Sequence, residues 1–284
     1  MSTNVLIDVL MVTYNRPAYT AAALGRLLDT ADAQTRVWVW HNCNDADPAN
    51  AETLDIVRRH EARLHHLTVS EENKRLREPT NWFWQTSDAP LMAKVDDDNL
   101  MPTGWAEALR ESHRLEPKLG AIACWGFLES DWVPGLADGK IRELGGGHEL
   151  MVNCWVSGTG HVLKREMVEQ CGPIGEGMSF PAWCIAAAKR GWVNGYHVPL
   201  LIAENLDDPR HPDTLIRTEA DFQERRGLSA RQHGVRTRAD LIARQSVLAR
   251  NLQEAPADPA KLTSVATRGK AKIRRLFRKL TRAA

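Results

Sequence analysis

The chain has 284 residues, which is enough for one large α/β domain with an appendage or for two small domains. Hydrophobic residues make up 43% and charged residues 26%, and no run approaches the roughly 18 apolar residues of a membrane span. The five cysteines are widely spaced without a CxxC pair, which disfavours a disulfide framework and a structural zinc site. We therefore expect free thiols in a reducing, cytoplasmic compartment.

The first 125 residues alternate between strand-like and helix-like segments. Val5–Thr13 is an apolar run that predicts a strand rather than a signal peptide, because no basic region precedes it. Pro17 predicts a helix start, and Asp47 followed by Pro48 predicts a second one. Further strands are predicted at 36–40, 67–70, 91–95 and 121–125, and helices at 80–87 and 102–115. This alternation predicts a doubly wound, mostly parallel sheet flanked by helices, with ligands beyond the carboxyl ends of its strands.

Beyond residue 125 the alternation weakens. Glycines cluster at 145–147, 158 and 160, and another helix is predicted at 181–190. Residues 217–250 are charged and helical in composition, and 255–260, with two prolines, has the composition of a linker. The α/β part is therefore expected to carry a C-terminal helical extension.

Three adjacent carboxylates, Asp96, Asp97 and Asp98, follow the apolar strand predicted at 91–95. Such neighbours repel one another unless a cation lies between them. Because side chains alternate along a strand, Asp96 and Asp98 project to the same side. Mg²⁺ and Mn²⁺ are often held by one or two carboxylates together with phosphate oxygens. The run alone fits a solvated acidic turn equally well, but its position at a ligand-binding edge favours a metal–diphosphate site.

Five segments resemble, in this order, the GT-A glycosyltransferases, in particular the family-2-like group. They are VLMVTYNRP, HNCNDAD, EENKRLREPTNW, VDDDNLMPTGW and VSGTGHVLKREMVEQCGPI. The resemblance covers roughly residues 5–215. It implies a GT-A catalytic domain over 1–215, with a nucleotide-binding half at about 1–125 and an acceptor half at about 126–215. A helical extension at 216–254 and a basic tail at 261–284 would follow.

The resemblance also implies the site residues. Asp98 would hold Mn²⁺ or Mg²⁺ bridged to the diphosphate, with Asp96 near the ribose or the metal and His211 completing the metal site. For His211, a plain surface-loop histidine is the alternative. The residues implied to bind the donor are Thr13, Tyr14, Asn15, Arg16, Asn42, Asn73, Arg77, Lys94, Asp96 and Asp97.

The sequence departs from the family pattern at two places. His41 stands where the family has an aspartate that commonly reads uracil, so UDP is a default rather than a prediction from the residues. Ser179 and Phe180 stand where inverting members have Glu-Asp. An inverting displacement needs a general base, and Glu176 is our candidate for it. A retaining enzyme without a base at that position is the alternative.

The resemblance implies a metal-dependent glycosyltransferase that moves a sugar from a nucleotide-diphosphate sugar to an acceptor glycan or glycolipid, in bacterial-type surface polysaccharide assembly. Two alternatives belong to other classes. A non-catalytic nucleotide-sugar or glycan-binding protein is compatible with the missing base. A sugar-nucleotide-forming nucleotidyltransferase is disfavoured, because the first loop lacks the Gly- and Lys/Arg-rich phosphate signature.

The C-terminal tail differs in charge from the rest of the chain. Residues 261–284 carry nine positive charges and no acid, so a net charge of +1 leaves −8 for residues 1–260. In KAKIRRLFRKL the apolar residues recur at helical spacing, which is typical of a helix on an anionic membrane surface. The alternatives are a helix packed on the body or on a partner, and nucleic-acid binding. We favour the membrane, with the protein peripheral on its inner face, and expect no nucleic-acid partner.

We predict that the tail is a membrane anchor dispensable for chemistry. A chain ending at residue 260 should stay folded and keep activity on a water-soluble acceptor analogue, while losing co-sedimentation with anionic liposomes. Binding of the full chain should weaken with salt, because the screening length falls to about 10 Å near 0.1 M. Failure of the full chain to bind anionic liposomes at low salt, or unfolding on truncation, would contradict the prediction.

Overall fold

A computed structural model of the protein describes residues 7–44, 46–227, 230–231 and 233–263. Within them the strands are β1 (Ile7–Thr13), β2 (Thr35–His41), β3 (His66–Val69), β4 (Leu91–Asp96), β5 (Asn99–Leu100), β6 (Leu119–Ala123), β7 (Ile141–Gly145), β8 (His148–Asn153), β9 (His161–Lys164), β10 (Val193–Val198) and β11 (Glu204–Asn205). The helices are α1 (Pro17–Thr30), α2 (Pro48–Arg59), α3 (Arg77–Thr86), α4 (Trp105–Leu115), α5 (Arg165–Cys171), α6 (Phe180–Ala188), α7 (Glu219–Arg225), α8 (Arg238–Glu254) and α9 (Pro259–Thr263).

The main sheet has nine strands in the order β3-β2-β1-β4-β9-β6-β10-β8-β7. Strands β3, β2, β1 and β4 are parallel to one another, and β6 is parallel to β10. Only β9 and β8 run against the other strands of this sheet. A second, two-stranded sheet pairs β5 with β11 antiparallel. The prediction of a doubly wound, mostly parallel sheet flanked by helices is confirmed.

The core lies on both faces of the sheet. Every residue of β1 is buried, and alternate side chains enter opposite layers. Val9 and Met11 pack with Leu24 and Leu27 of α1 and with Trp105 of α4. On the other face, Leu10 and Val12 belong to a layer rich in tryptophan, in which α3 and α6 contribute Phe83, Trp84 and Trp183. Burial on both faces explains why β1 is a continuous apolar run.

Helix starts follow the predicted signals closely. Pro17 opens α1, and the carboxylate of Asp47 caps α2 by accepting the N–H of Ala49 at 3.0 Å. In the charged region at 217–250, the structure describes the helices α7 and α8. Each begins with a capping box, Thr218 with Asp221 and Thr237 with Asp240.

Helix α8 of the C-terminal extension packs against the sheet domain. Ala249 and Leu252 of α8 are buried in the tryptophan-rich layer. The ammonium of the half-buried Lys140 donates to the carbonyl oxygens of Leu252 at 2.6 Å and Ala255 at 3.0 Å, at the end of α8. Arg210 bridges Asp131 and Asp208 beneath the same helix. Helix α8 therefore packs as part of the body.

The tail prediction falls mostly outside the described residues, because Ile273, Leu276, Phe277 and Leu280 all follow residue 263. In the part of the chain that the structure describes, no helix combines the length and the apolar character that crossing a membrane requires.

Candidate active site

The candidate site lies where β1 and β4 end side by side, covered by the small β5–β11 sheet. Asp96 ends β4, Asp97 and Asp98 form the turn, and Asn99 begins β5. Pairing of Asn99 with Asn205 brings in the chain after β11, and the N–H of Leu206 donates to the carbonyl oxygen of Asp98 at 2.8 Å. Two segments far apart in sequence thus meet at the ligand-binding edge of the sheet.

Arg16 is at the centre of this edge. Its Nη1 donates to Asp98 Oδ2 at 2.8 Å and lies 3.7 Å from Asp97 Oδ1. Its Nη2 pairs with the Asp207 carboxylate. Burial opposes the charge on Arg16, but the three carboxylates together raise its pKa above the ordinary value. One guanidinium is therefore shared among three carboxyl groups.

The carboxyl groups around Arg16 are under-neutralised. Burial is the largest cause that raises the pKa of Asp97 to about 7, repulsion from Asp98 and Asp96 adds to it, and Arg16 opposes it. Burial likewise raises the pKa of Asp207 to about 7, with repulsion from Asp98 and opposition from Arg16. When all three ionise, the cluster carries two more negative charges than positive ones. Oxygen ligands with this charge suit a hard divalent cation.

Asp96 belongs to a second arrangement, because its side chain faces Lys94 rather than Arg16. The Lys94 ammonium pairs with the Asp96 carboxylate and also donates to the carbonyl oxygen of Gly158 at 3.3 Å. The N–H of Asp96 donates to Thr159 Oγ1 at 2.8 Å, and the Thr159 hydroxyl donates to Asn99 Oδ1 at 2.7 Å. The glycine-containing loop 157–160 therefore clamps both sides of the aspartate turn.

The predicted metal set is not gathered at one point. Asp96 pairs with Lys94, whereas Asp98 pairs with Arg16. His211 is buried with both ring nitrogens engaged: Nε2 lies 2.7 Å from the Glu204 carboxylate, and Nδ1 accepts the N–H of Asp213 at 3.1 Å. Among the residues that the structure describes, no group of three His, Cys, Asp or Glu side chains is positioned to hold a metal.

The carboxylate beside Asp98 is Asp207, which our sequence reasoning missed. The available signal was the acidic pair at 207–208, shortly after an apolar segment and ahead of His211. The family resemblance suggests the histidine, whereas the β5–β11 pairing brings the aspartate next to Asp98.

Several predicted donor-binding residues have their side chains engaged within the protein. Thr13 Oγ1 lies 2.9 Å from His41 Nδ1, and His41 Nε2 lies 3.0 Å from Asn50 Oδ1. Asn15 donates to the Asp47 carboxylate at 2.5 Å and accepts from Asn50 at 2.7 Å. His41 is completely buried, and burial lowers its pKa, so it is neutral at physiological pH. These side chains connect the loop that follows β1 to the loop that follows β2.

Asn42 connects the loop that follows β2 to the loop that follows β3. Its Oδ1 accepts from Trp40 Nε1 at 3.1 Å and from the N–H of Lys74 at 2.9 Å, and its Nδ2 donates to the carbonyl oxygen of Arg75 at 3.1 Å. Tyr14 reaches the aspartate turn instead, because its N–H donates to Asp97 Oδ2 at 3.4 Å.

A cavity of about 510 Å³ opens where β2 and β3 end, lined by Trp40, Val69, Ser70, Glu71, Glu72 and Lys74. This volume is within the usual range for small-molecule sites. Asn73 lies between two lining residues and is exposed, as is Arg77 at the start of α3. Asn73 is thus next in sequence to two residues that line the cavity.

On the acceptor side, the expected general-base positions have structural roles. Ser179 caps α6 by accepting the N–H of Ala182 at 3.3 Å. Phe180 stacks on the buried ring of His161 at 4.2 Å, with the planes inclined by 16°. Burial lowers the pKa of His161 to about 3, so its ring is neutral.

Glu176 is exposed in the loop between α5 and α6. Asn81 of α3 anchors this loop through two hydrogen bonds to Ile174, of 2.9 and 3.0 Å. Glu176 therefore follows a fixed point of the backbone by two residues.

Comparison of the chain with protein-family models and with curated proteins finds no match. Solved structures do match. The mannosyltransferase PcManGT from Pyrobaculum calidifontis, in complex with GDP-Man and Mn²⁺, is 16% identical with a TM-score of 0.55, over 97% of this chain and 82% of that one. S. aureus TarS 1-349 with UDP-GlcNAc is 13% identical with a TM-score of 0.54, over 93% and 77%.

A third match, GalNAc-T7 with UDP, GalNAc and Mn²⁺, is 9% identical with a TM-score of 0.56, over 72% of this chain and 44% of that one. The chain spans 38% of a longer TarS structure. All three proteins are GT-A glycosyltransferases. At these identities the likeness concerns the fold, and this chain has the GT-A fold, as the five segments led us to expect.

The raised pKa values of Asp97 and Asp207 predict that the stability of the metal-free protein depends on pH. A folded-state pKa above the unfolded value means that the native state binds more protons, so stability should fall as pH rises from about 4 to about 7. Asp207→Asn removes one such group. In chelator, its melting temperature should therefore fall less between pH 5 and pH 8 than that of the wild type. Each kcal/mol of difference in the free energy of unfolding corresponds to about 2–4 °C.

Asp131→Asn is the matched control. Its carboxylate also pairs with an arginine, but its pKa is lowered, so it should keep the wild-type pH dependence over this interval. A wild-type slope for Asp207→Asn would contradict the assignment of the titrating group.

Proposed function

We propose that the protein is a metal-dependent glycosyltransferase that transfers a sugar from a nucleotide-diphosphate sugar to an acceptor glycan or glycolipid. One observation carries the proposal: Asp97, Asp98 and Asp207 surround a single guanidinium at the ligand-binding edge of a GT-A fold. The solved structures that share the fold support it, because they hold GDP-Man, UDP-GlcNAc or UDP, two of them with Mn²⁺.

The donor set is compatible with the divalent cation. Asp98 and Asp207 contact the same guanidinium, and both offer oxygen ligands. A bound Mn²⁺ or Mg²⁺ would neutralise charge on the leaving diphosphate. In this arrangement Asp98 and Asp207 would hold the metal, with Asp96 and His211 outside the first set of ligands.

The remaining roles belong to groups of the chain itself. Tyr14 and Asp97 keep the first loop and the aspartate turn in fixed register through their hydrogen bond. Lys94 keeps Asp96 oriented at the end of β4. The cavity between Trp40 and Lys74 would receive the nucleobase. Both nitrogens of His41 are engaged, so His41 does not read the base, and UDP stays the default donor nucleotide.

The acceptor proton needs a recipient if the reaction inverts the anomeric centre. Ser179 and Phe180 cannot accept it as carboxylates would, so Glu176 is the proposed base. A retaining reaction, which needs no base there, is the alternative. We further propose a glycan or lipid-linked acceptor, a role in surface polysaccharide assembly, and a location on the inner face of the membrane through the basic tail.

The capped and stacked positions of Ser179 and Phe180 also favour a second candidate, a non-catalytic nucleotide-sugar-binding protein of the same fold. Release of nucleoside diphosphate from a nucleotide sugar in the presence of Mn²⁺ separates the two. Turnover supports the transferase, and tight donor binding without turnover supports the binding protein.

We predict that nucleoside-diphosphate binding requires a divalent cation and depends on Asp98. Asp98→Ala should weaken Mn²⁺-dependent UDP binding by at least about tenfold in calorimetry. Asp88→Ala, which removes an exposed carboxylate paired with Arg36 away from this edge, should bind as the wild type does. UDP binding by the wild type that is undiminished in chelator, or equal Mn²⁺-dependent affinity of wild type and Asp98→Ala, would show the metal assignment to be wrong.

We predict that Glu176→Gln keeps donor binding but loses most turnover, because loss of a general base typically costs about 10²–10⁴-fold in rate. Glu169→Gln, at an exposed position of α5, should keep wild-type turnover. Turnover of Glu176→Gln within a few-fold of wild type would remove Glu176 from the mechanism and favour a retaining reaction.

A further inference from the structure

The Arg16 side chain lies where a metal would have to bind. Its two Nη atoms contact Asp98 and Asp207, the two carboxylates that we propose as metal-binding groups. The carboxylates come from different segments, the turn after β4 and the loop after β11, and the guanidinium spans the gap between them. In a charge-assisted pair of this kind the cation holds both oxygen atoms in place.

The position of Arg16 is built into the fold. Its N–H donates to Thr53 Oγ1 of α2 at 3.1 Å, which fixes the backbone at the start of α1. Its guanidinium carbon lies 4.6 Å from the centre of the Tyr19 ring, one helical turn further on.

Tyr19 connects this contact to the Asp207 loop. Its hydroxyl donates to the carbonyl oxygen of Leu206 at 2.8 Å and accepts the N–H of Leu215 at 3.0 Å. The same side chain thus supports the guanidinium and the loop that carries Asp207.

Arg16 also has room to move. The exposed fraction of its side chain is 30%, compared with 9% for Asp97 and 17% for Asp98. The long side chain can therefore turn toward the open edge while its backbone stays anchored.

We propose that Arg16 is an internal counter-cation of the site. It keeps Asp98 and Asp207 together before ligand arrives, and it competes with a divalent cation for their oxygen atoms. The proposal rests on the metal-dependent donor binding argued above. A nucleoside diphosphate offers phosphate oxygens that a guanidinium binds well, so Arg16 would exchange carboxylate for phosphate when donor and metal bind together.

This arrangement makes metal and nucleotide binding cooperative. Metal alone must displace Arg16 without giving it a new partner, whereas metal with diphosphate leaves the guanidinium paired. By linkage, the nucleotide must raise metal affinity by the same factor as the metal raises nucleotide affinity. Arg16 would thus prevent the site from filling with metal in the absence of donor.

The test measures Mn²⁺ binding to the full 284-residue chain by titration of the free-ion electron spin resonance signal, with and without UDP. In wild type, UDP should tighten Mn²⁺ binding by about 5- to 150-fold, the range typical of coupled sites. Arg16→Gln should bind Mn²⁺ alone about tenfold more tightly than wild type, and the effect of UDP should shrink. The melting temperature of Arg16→Gln should fall in chelator and recover with Mn²⁺.

Arg36→Gln is the matched control. Arg36 also bridges two aspartates, Asp8 and Asp88, but on β2 near the opposite end of the sheet. Its variant should lose melting temperature without recovery in Mn²⁺ and should keep wild-type Mn²⁺ affinity. Arg16→Lys keeps the charge without the planar fork. It should fold in chelator and show an intermediate Mn²⁺ affinity, which keeps the test open if Arg16→Gln does not fold without metal.

Unchanged, weaker or absent Mn²⁺ binding by Arg16→Gln would overturn the proposal. Failure of the proposed function has a different signature, because wild type would then show no UDP binding and no sugar transfer under any metal condition. The comparison of Mn²⁺ alone between wild type and Arg16→Gln does not depend on that result.

Discussion

Carboxyl groups crowded at one edge of a sheet repel one another, and the candidate site depends on how this repulsion is offset. Asp97, Asp98 and Asp207 meet there because β5 pairs with β11, and Arg16 supplies one positive charge for the three. Asp96 is neutralised separately by Lys94. The carboxylates of the site are therefore held together, but Arg16 and Lys94 do not neutralise all of their negative charge.

The rest of the fold supplies rigidity to this edge. β1 and β4 are covered on both faces, so the residues at their carboxyl ends start from fixed backbone positions. The loops above them are linked by buried or half-buried polar side chains, among which Asn42, Asn50 and Thr159 each connect separate segments. Such connected networks rigidify a site when their members are satisfied. The Arg16 side chain is less enclosed than these groups, because 30% of it is exposed.

Much of the fold could be predicted from local pattern. The apolar run of β1, Pro17 at the start of α1 and Asp47 as the cap of α2 each act over a few residues, and each was predicted where it occurs. Asp96, Asp97 and Asp98 could be placed for the same reason, since a strand end at a ligand-binding edge is a local feature. The resemblance of five segments added the GT-A topology, which periodicity alone does not specify.

Only the tertiary structure decided which residues distant in sequence are in contact. It placed Asp207 rather than His211 beside Asp98, gave Arg16 its central position, and engaged His41 and Asn42 within the protein. None of these follows from spacing, because each depends on which strands pair and on the register in which they pair. The sequence by itself determined the strands, the helix starts and the acidic turn, since backbone preference and alternating burial act locally. The β5–β11 pairing and the packing of loops determined the partners of the charged residues in that turn, because they bring together side chains that are far apart in the sequence.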